Sequence, residues 1–295
     1  MTNLVGVVTV SSIAGVATGL GALPVFVRHR VTHRVYDAAL GLAAGLMVAA
    51  SVFGLIIPGM EEGTLSAVMV GLLLGGVGLL AGNYAIPHLH AQYREWLPEG
   101  GATGDDAAVM TSGGIGGPDR ELSEFADPVD SADATESADA AAEREGILRK
   151  ALLIGGAITL HNAPEGLAIG VAFASGLEEV ALVLAVVIGL QNVPDGFAFA
   201  VPMAETGMSN LRVIWYTTLS GVVPQVVASV FGFLLVGLAA GLFPVASGFA
   251  AGAMLAVVFR ELIPSSHGHG HADAATGAFL VGFVLLVVVD AVVVV

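Results

Sequence analysis

Two short strings concentrate the chemistry of this chain. They are His161-Asn162-Ala163-Pro164-Glu165-Gly166 and Gln191-Asn192-Val193-Pro194-Asp195-Gly196, placed 30 residues apart. In each, a polar residue and a carboxylate are separated by four positions, so they share a helix face. In each, a proline removes a backbone donor, and the carbonyl four residues upstream (Leu160 or Leu190) loses its partner. If the two segments are antiparallel neighbours, their faces offer one imidazole, two carboxylates and up to three amides around a common point. Carboxylate and amide oxygens with one borderline nitrogen suit a divalent cation such as Zn²⁺, Mn²⁺, Fe²⁺ or Cd²⁺. The plainer alternative is that the same groups are buried contacts joining two helices. Six polar residues in two matching strings exceed what such contacts need.

The elements that carry the strings must lie in a membrane. The chain has 295 residues, of which 56% are hydrophobic and 12% charged, with mean hydropathy +0.86. Soluble domains average about 25% charged residues. About 20 apolar residues cross a bilayer core as a helix. Stretches of that kind occur at Asn3–Val27, Ala38–Gly59, Thr64–Pro87, Ala151–Leu177 and Val180–Ala204. Val213–Phe259 has no charge and is too long for one span, and Gly241-Leu242-Phe243-Pro244 predicts its break. A last span covers Ala274–Val293. The expectation is all-α, with eight transmembrane helices. Glu165 and Asp195 are then carboxylates at membrane depth, where a charge is costly and marks a function.

All ten basic residues fall in the odd-numbered connections between these spans. The positive-inside rule makes those connections cytoplasmic and both termini external. The net charge of −15 is mostly local: residues 99–146 hold thirteen acidic residues against Arg120 and Arg144. That segment is poor in aromatics and reads as a disordered cytoplasmic linker over 91–147, dividing spans one to three (1–90) from spans four to eight (148–295). So acidic a surface excludes nucleic acid as a partner. Without cysteine there is neither disulfide nor thiolate ligand. There is no phosphate-binding glycine motif, so no nucleotide, and no organic cofactor is called for.

The strings HNAPEGLA and QNVPDGFA resemble the fourth and fifth helices of the ZIP family of divalent metal transporters, prokaryotic branch. Gly41–Glu61 resembles the family's second helix, Leu72–His90 its third, and Gly252–His271 its seventh with the loop after it. The resemblance implies a 3+2+3 bundle, with spans one to three related to six to eight by an inverted repeat, and a homodimer. Residue by residue, it implies a metal site of His161, Glu165, Gln191 and Asp195, with Met47 as a thioether ligand. Asn162 and Asn192 match positions that help hold a second ion, and Glu261 matches a position implicated in metal exit. Two departures bear on this. Asp195 stands where many members have Glu. Ser220-Gly221-Val222-Val223-Pro224-Gln225 lacks the Glu that members often carry on the sixth helix. One strong site is therefore expected, with the second weak or absent.

After Glu261, His267, His269 and His271 alternate with small residues, and His88 and His90 end span three. Alternating histidines in a loop suit a low-affinity metal relay. The function expected is a cell-membrane importer of divalent transition metal, Zn²⁺ foremost, that is not an enzyme. Two other classes remain open: a membrane metal-dependent hydrolase, and a sensor that binds metal without moving it. A hydrolase ordinarily shows a histidine-rich zinc set such as H-E-x-x-H, which this chain lacks.

Overall fold

The computed structural model describes residues 4–26, 32–93, 161–205 and 208–293. Among them every regular element is helical. We number the helices α1 (Leu4–Leu20), α2 (His33–Glu61), α3 (Leu65–Tyr93), α4 (described from residue 161 to 174), α5 (Glu178–Glu205), α6 (Asn210–Leu238), α7 (Ala240–Ser266) and α8 (Ala272–Val293). The predicted break falls where expected: α6 ends at Leu238, and a short 3₁₀ turn at Ala240–Leu242 leads into Pro244. The linker expected at 91–147 lies outside the described residues, apart from the end of α3. The chain divides into two compact units, Met1–Ala85 with Lys150–Val295, and Ile86–Arg149. Apart from the end of α3, all the helices named above belong to the first unit.

Among the described residues six helices are long and apolar enough to cross a bilayer, and α1, with 17 residues, is shorter. Together they form a polytopic membrane bundle. Two thirds (67%) of the most apolar stretch of α2 and of α7 is buried, against 22% in α3 and 17% in α8. So α2 and α7 are central, and α3 and α8 peripheral. Leu73, Leu74 and Val77 of α3 and Leu280, Val281 and Val284 of α8 are exposed. A helix that is apolar all round is at home in hydrocarbon.

Lipid tails are as apolar as leucine, so helices in a membrane associate through close packing of small residues. Gly41 and Gly45 of α2 lie against the backbone of Ala275 and Phe279 of α8. Gly248 and Gly252 of α7 lie in the same way against Val68 and Leu72 of α3. Gly166 and Gly170 set α4 against Gln225 and Ser229 of α6. A Cβ at any of these six would collide with a neighbouring backbone.

α2 and α7 are built alike. Gly41-Leu42-Ala43-Ala44-Gly45-Leu46-Met47 matches Gly248-Phe249-Ala250-Ala251-Gly252-Ala253-Met254. Each pattern runs into a widened π-helical turn, Ala50–Ile56 in α2 and Val258–Leu262 in α7. Each turn is followed by Ile-Pro, Ile57-Pro58 and Ile263-Pro264. Proline lacks the amide that would bond four residues back, and its ring crowds that carbonyl. A wider turn accommodates both effects, and such turns recur at functional sites.

Candidate metal centre

α4 and α5 place the two strings face to face. His161 Nε2 lies 3.1 Å from Asp195 Oδ2 and 3.9 Å from Glu165 Oε1. One ligand atom from each of the three lies within 4.8 Å of the others. Gln191 Nε2 donates to Glu165 Oε1, across the interface between α4 and α5. Glu165 and Gln191 are fully buried; His161 and Asp195 are 6% and 8% exposed. Both prolines sit inside continuous helix.

Three oxygens at this point are buried and have no hydrogen-bond partner: Glu165 Oε2, Asp195 Oδ1 and Gln191 Oε1. Leaving a buried acceptor unsatisfied costs about 1–3 kcal/mol, and more when it is charged. Three together, around an imidazole and two carboxylates, form a wall of lone pairs suited to a cation. A divalent ion takes up such lone pairs and offsets the charge that makes a carboxylate costly at membrane depth. The donor set, one nitrogen with oxygens, fits a borderline metal.

The other two amides of the strings face elsewhere. Asn192 Nδ2 donates to the Ala14 carbonyl of α1 (2.8 Å) and to Gln225 Oε1 of α6 (2.9 Å). Asn162 Nδ2 donates to the Ser220 carbonyl (3.4 Å). Both asparagines and Gln225 are fully buried. Met47 is fully buried in α2, and its carbonyl accepts from Ser51 Oγ at 2.8 Å.

Of the residues expected in an exit relay, Glu261 stands beside the main cluster, with its Oε2 3.8 Å from His161 Nδ1. It belongs to the widened turn of α7, which continues as helix to Ser266. His267 Nδ1 is 3.0 Å from both Ser266 Oγ and the Ile263 carbonyl. His269 reaches Asp37 of α2, its Nδ1 2.8 Å from Asp37 Oδ1. His271 is exposed.

Two buried polar residues escape a reading of the sequence alone. Asp37 lies just outside the second span expected at Ala38–Gly59, yet the helix begins at His33 and Asp37 is fully buried within it. Counting uncharged stretches cuts a span short at its first charge, and nothing local marks a partner at His269. Gln225 stands out in the sequence only as the absence of a Glu. It does carry a signal: a lone amide in a long apolar run needs a partner, and finds Asn192.

The pattern of the family described as ZIP zinc transporter matches residues 4–290. Similar proteins include the zinc transporter GufA of Myxococcus xanthus, 34% identical over 95% of this chain and 96% of its own length. Zinc transporter ZIP11 of Homo sapiens is 35% identical over 92% of this chain and 93% of its own length. Zinc transporter ZIPB of Bordetella bronchiseptica is 33% identical over 97% and 81% respectively.

Proposed function

We propose, from the premise that this chain belongs to the ZIP zinc transporter family, that it imports divalent transition metal, Zn²⁺ foremost, across the cell membrane. One observation carries the reading. His161, Glu165 and Asp195 gather within 4.8 Å at the buried contact of α4 and α5, and oxygens of Glu165, Asp195 and Gln191 there lack any partner. The ion is the cargo of this site. His161 supplies a nitrogen, Glu165 and Asp195 supply charge, and Gln191 supplies a neutral oxygen once its amide lets go of Glu165. Met47 is assigned as a thioether ligand from α2. Transfer out of the site needs ligands that exchange one at a time, binding strongly enough to select and weakly enough to release. Glu261, already 3.8 Å from His161, is placed to take the ion over.

Asn162 and Asn192 occupy the positions of a second ion, but Asn192 is held by Gln225, an amide where a carboxylate would be needed. We therefore assign one strong site. We read the bundle as 3+2+3, with α1 to α3 and α6 to α8 as an inverted repeat. The matched glycine patterns and widened turns of α2 and α7 support this. Positive residues place the odd connections in the cytoplasm and both termini outside. Residues 91–147 serve as a cytoplasmic connection, and a homodimer is the assembly proposed. We take the chain to be a carrier rather than an enzyme, without organic cofactor or nucleotide. Names of relatives that match along most of their length support that reading.

The test is uptake of Zn²⁺ into proteoliposomes bearing the purified chain. Accumulation above protein-free vesicles is expected. Zinc that binds without entering would favour a sensor and overturn the proposal.

A further inference from the structure

The two ring nitrogens of His161 face different carboxylates. Nε2 lies toward the central cluster, 3.1 Å from Asp195 Oδ2 and 3.9 Å from Glu165 Oε1. Nδ1 lies toward α7, 3.8 Å from Glu261 Oε2. An ion shared with Glu165 and Asp195 therefore takes Nε2. An imidazole whose Nε2 lone pair is on a metal carries its one ring hydrogen on Nδ1. That N–H then points at a carboxylate standing outside the group of His161, Glu165 and Asp195. Histidines that ligate metals ordinarily donate the other ring N–H to a carboxylate, a carbonyl or water, and this fixes both the tautomer and the ring's orientation. The Glu261 side chain is 28% exposed, against 0% for Glu165. Its charge keeps some contact with water and does not depend on an ion to be tolerated.

We infer that Glu261 is a positioning residue for the metal ligand His161: it accepts the Nδ1 hydrogen and so holds Nε2 toward the ion. In the structure Nε2 is engaged with Asp195, and the Glu261 contact is longer than a hydrogen bond. An ion entering the cluster displaces the Asp195 contact, frees the ring to tilt toward Glu261 and leaves the hydrogen on the facing nitrogen. The bond that then forms is charge-assisted and of the strong kind. The widened turn Val258–Leu262 sets the face on which Glu261 stands. The like turn of α2 uses the position differently. In the register that pairs Gly41 with Gly248, Gly54 stands where Glu261 does, and it lies against the Leu184 side chain of α5. One of two similar helices closes on α5 there, and the other brings a carboxylate to the back of the histidine. Orienting His161 while the ion is bound precedes the transfer described above and is separate from it. The inference rests on the reading of His161 as a ligand.

Equilibrium dialysis of Zn²⁺ against the purified full-length chain in detergent tests this. Glu261→Ala removes the acceptor and should weaken binding at the central cluster by about 10–100-fold, the usual cost of losing such a partner. Glu261→Gln keeps a neutral acceptor oxygen and should recover most of that affinity. In a His161→Ala background, Glu261→Ala should cost nothing further, because the group it acts through is gone. Should Glu261→Ala fail to fold, Glu261→Leu fills the space without an acceptor and carries the same comparisons. Wild-type affinity in Glu261→Ala would overturn the inference. So would an equal further loss in the His161→Ala background, which would make Glu261 a direct ligand or a support of the fold. Failure of the ligand reading looks different: His161→Ala alone would then bind Zn²⁺ as the wild type does.

Discussion

The same two helices present opposite chemistry on their two sides. Toward the α4–α5 contact they offer His161, Glu165, Gln191 and Asp195, a set with two formal negative charges and three unpartnered oxygens. Toward α1 and α6 they offer Asn162 and Asn192, bound to the carbonyls of Ser220 and Ala14 and to Gln225. Both sides are buried and both are polar. They differ in charge: Asn192 Oδ1 and Gln225 Nε2 on the amide side are also buried without a hydrogen bond, but no carboxylate stands there. A cation in a medium of low dielectric gains far more from a carboxylate than from an amide dipole. A polar pocket in a membrane is thus not a metal site by polarity alone.

The hardest blow to this contrast is Glu165→Ala. It deletes the ligand that both His161 and Gln191 contact. Changes to mere supporting groups cost about 10–100-fold in metal affinity, so zinc uptake should fall by at least about 100-fold. Removing a buried charge eases insertion, so protein reaching the membrane at wild-type level, measured by immunoblot, should accompany the loss. Wild-type uptake would dissolve the charged side of the comparison.

Gln225→Glu sharpens the contrast from the other side. It sets a carboxylate against Asn192 and gives the amide side the charge it lacks. A zinc equivalent absent from the wild type should appear on that side in dialysis, still present when combined with Glu165→Ala. An unchanged stoichiometry would mean that geometry, not charge, keeps the second position without affinity.

His161→Gln tests the single nitrogen. The ligands must be deprotonated to bind metal. Protons therefore compete with the ion at the imidazole and at both carboxylates. Wild-type uptake should fall as external pH drops, because protons then compete with the ion at His161. The variant should be weaker overall and flatter between about pH 7 and 5.5. A full wild-type profile in the variant would assign the titration to other groups.

How far the sequence reaches follows from what each residue needs. The strings are readable because a polar pair at i and i+4 beside proline is a local pattern. Hydropathy marks the spans, and Gly241 to Pro244 mark the break, because both are local too. Sequence matching marks Glu261, and the structure sets it beside His161. Each added residue turns a helix by about 100°, and the widened turn at Val258–Leu262 changes which face Glu261 presents. Asp37 stays hidden because the histidine it meets is 232 residues away. Contacts between distant residues depend on helix packing, which here is set by backbone approach at glycines such as Gly41 and Gly252.

The smallest effect is expected outside both pockets. Deleting residues 100–145 should leave uptake within about twofold of wild type. That stretch has no apolar periodicity with which to pack, so tolerance should be high. Loss of folding, followed by size-exclusion profile, would reveal a structured domain there.

The central claim is that the charged side holds the ion, and X-ray absorption at the zinc edge tests it most directly. At one equivalent of Zn²⁺ per chain, the expected shell is mostly oxygen with one imidazole nitrogen, at about 2.0–2.2 Å. The imidazole signature should vanish in His161→Ala. A shell of several imidazoles that survives His161→Ala would place the ion elsewhere and contradict the account.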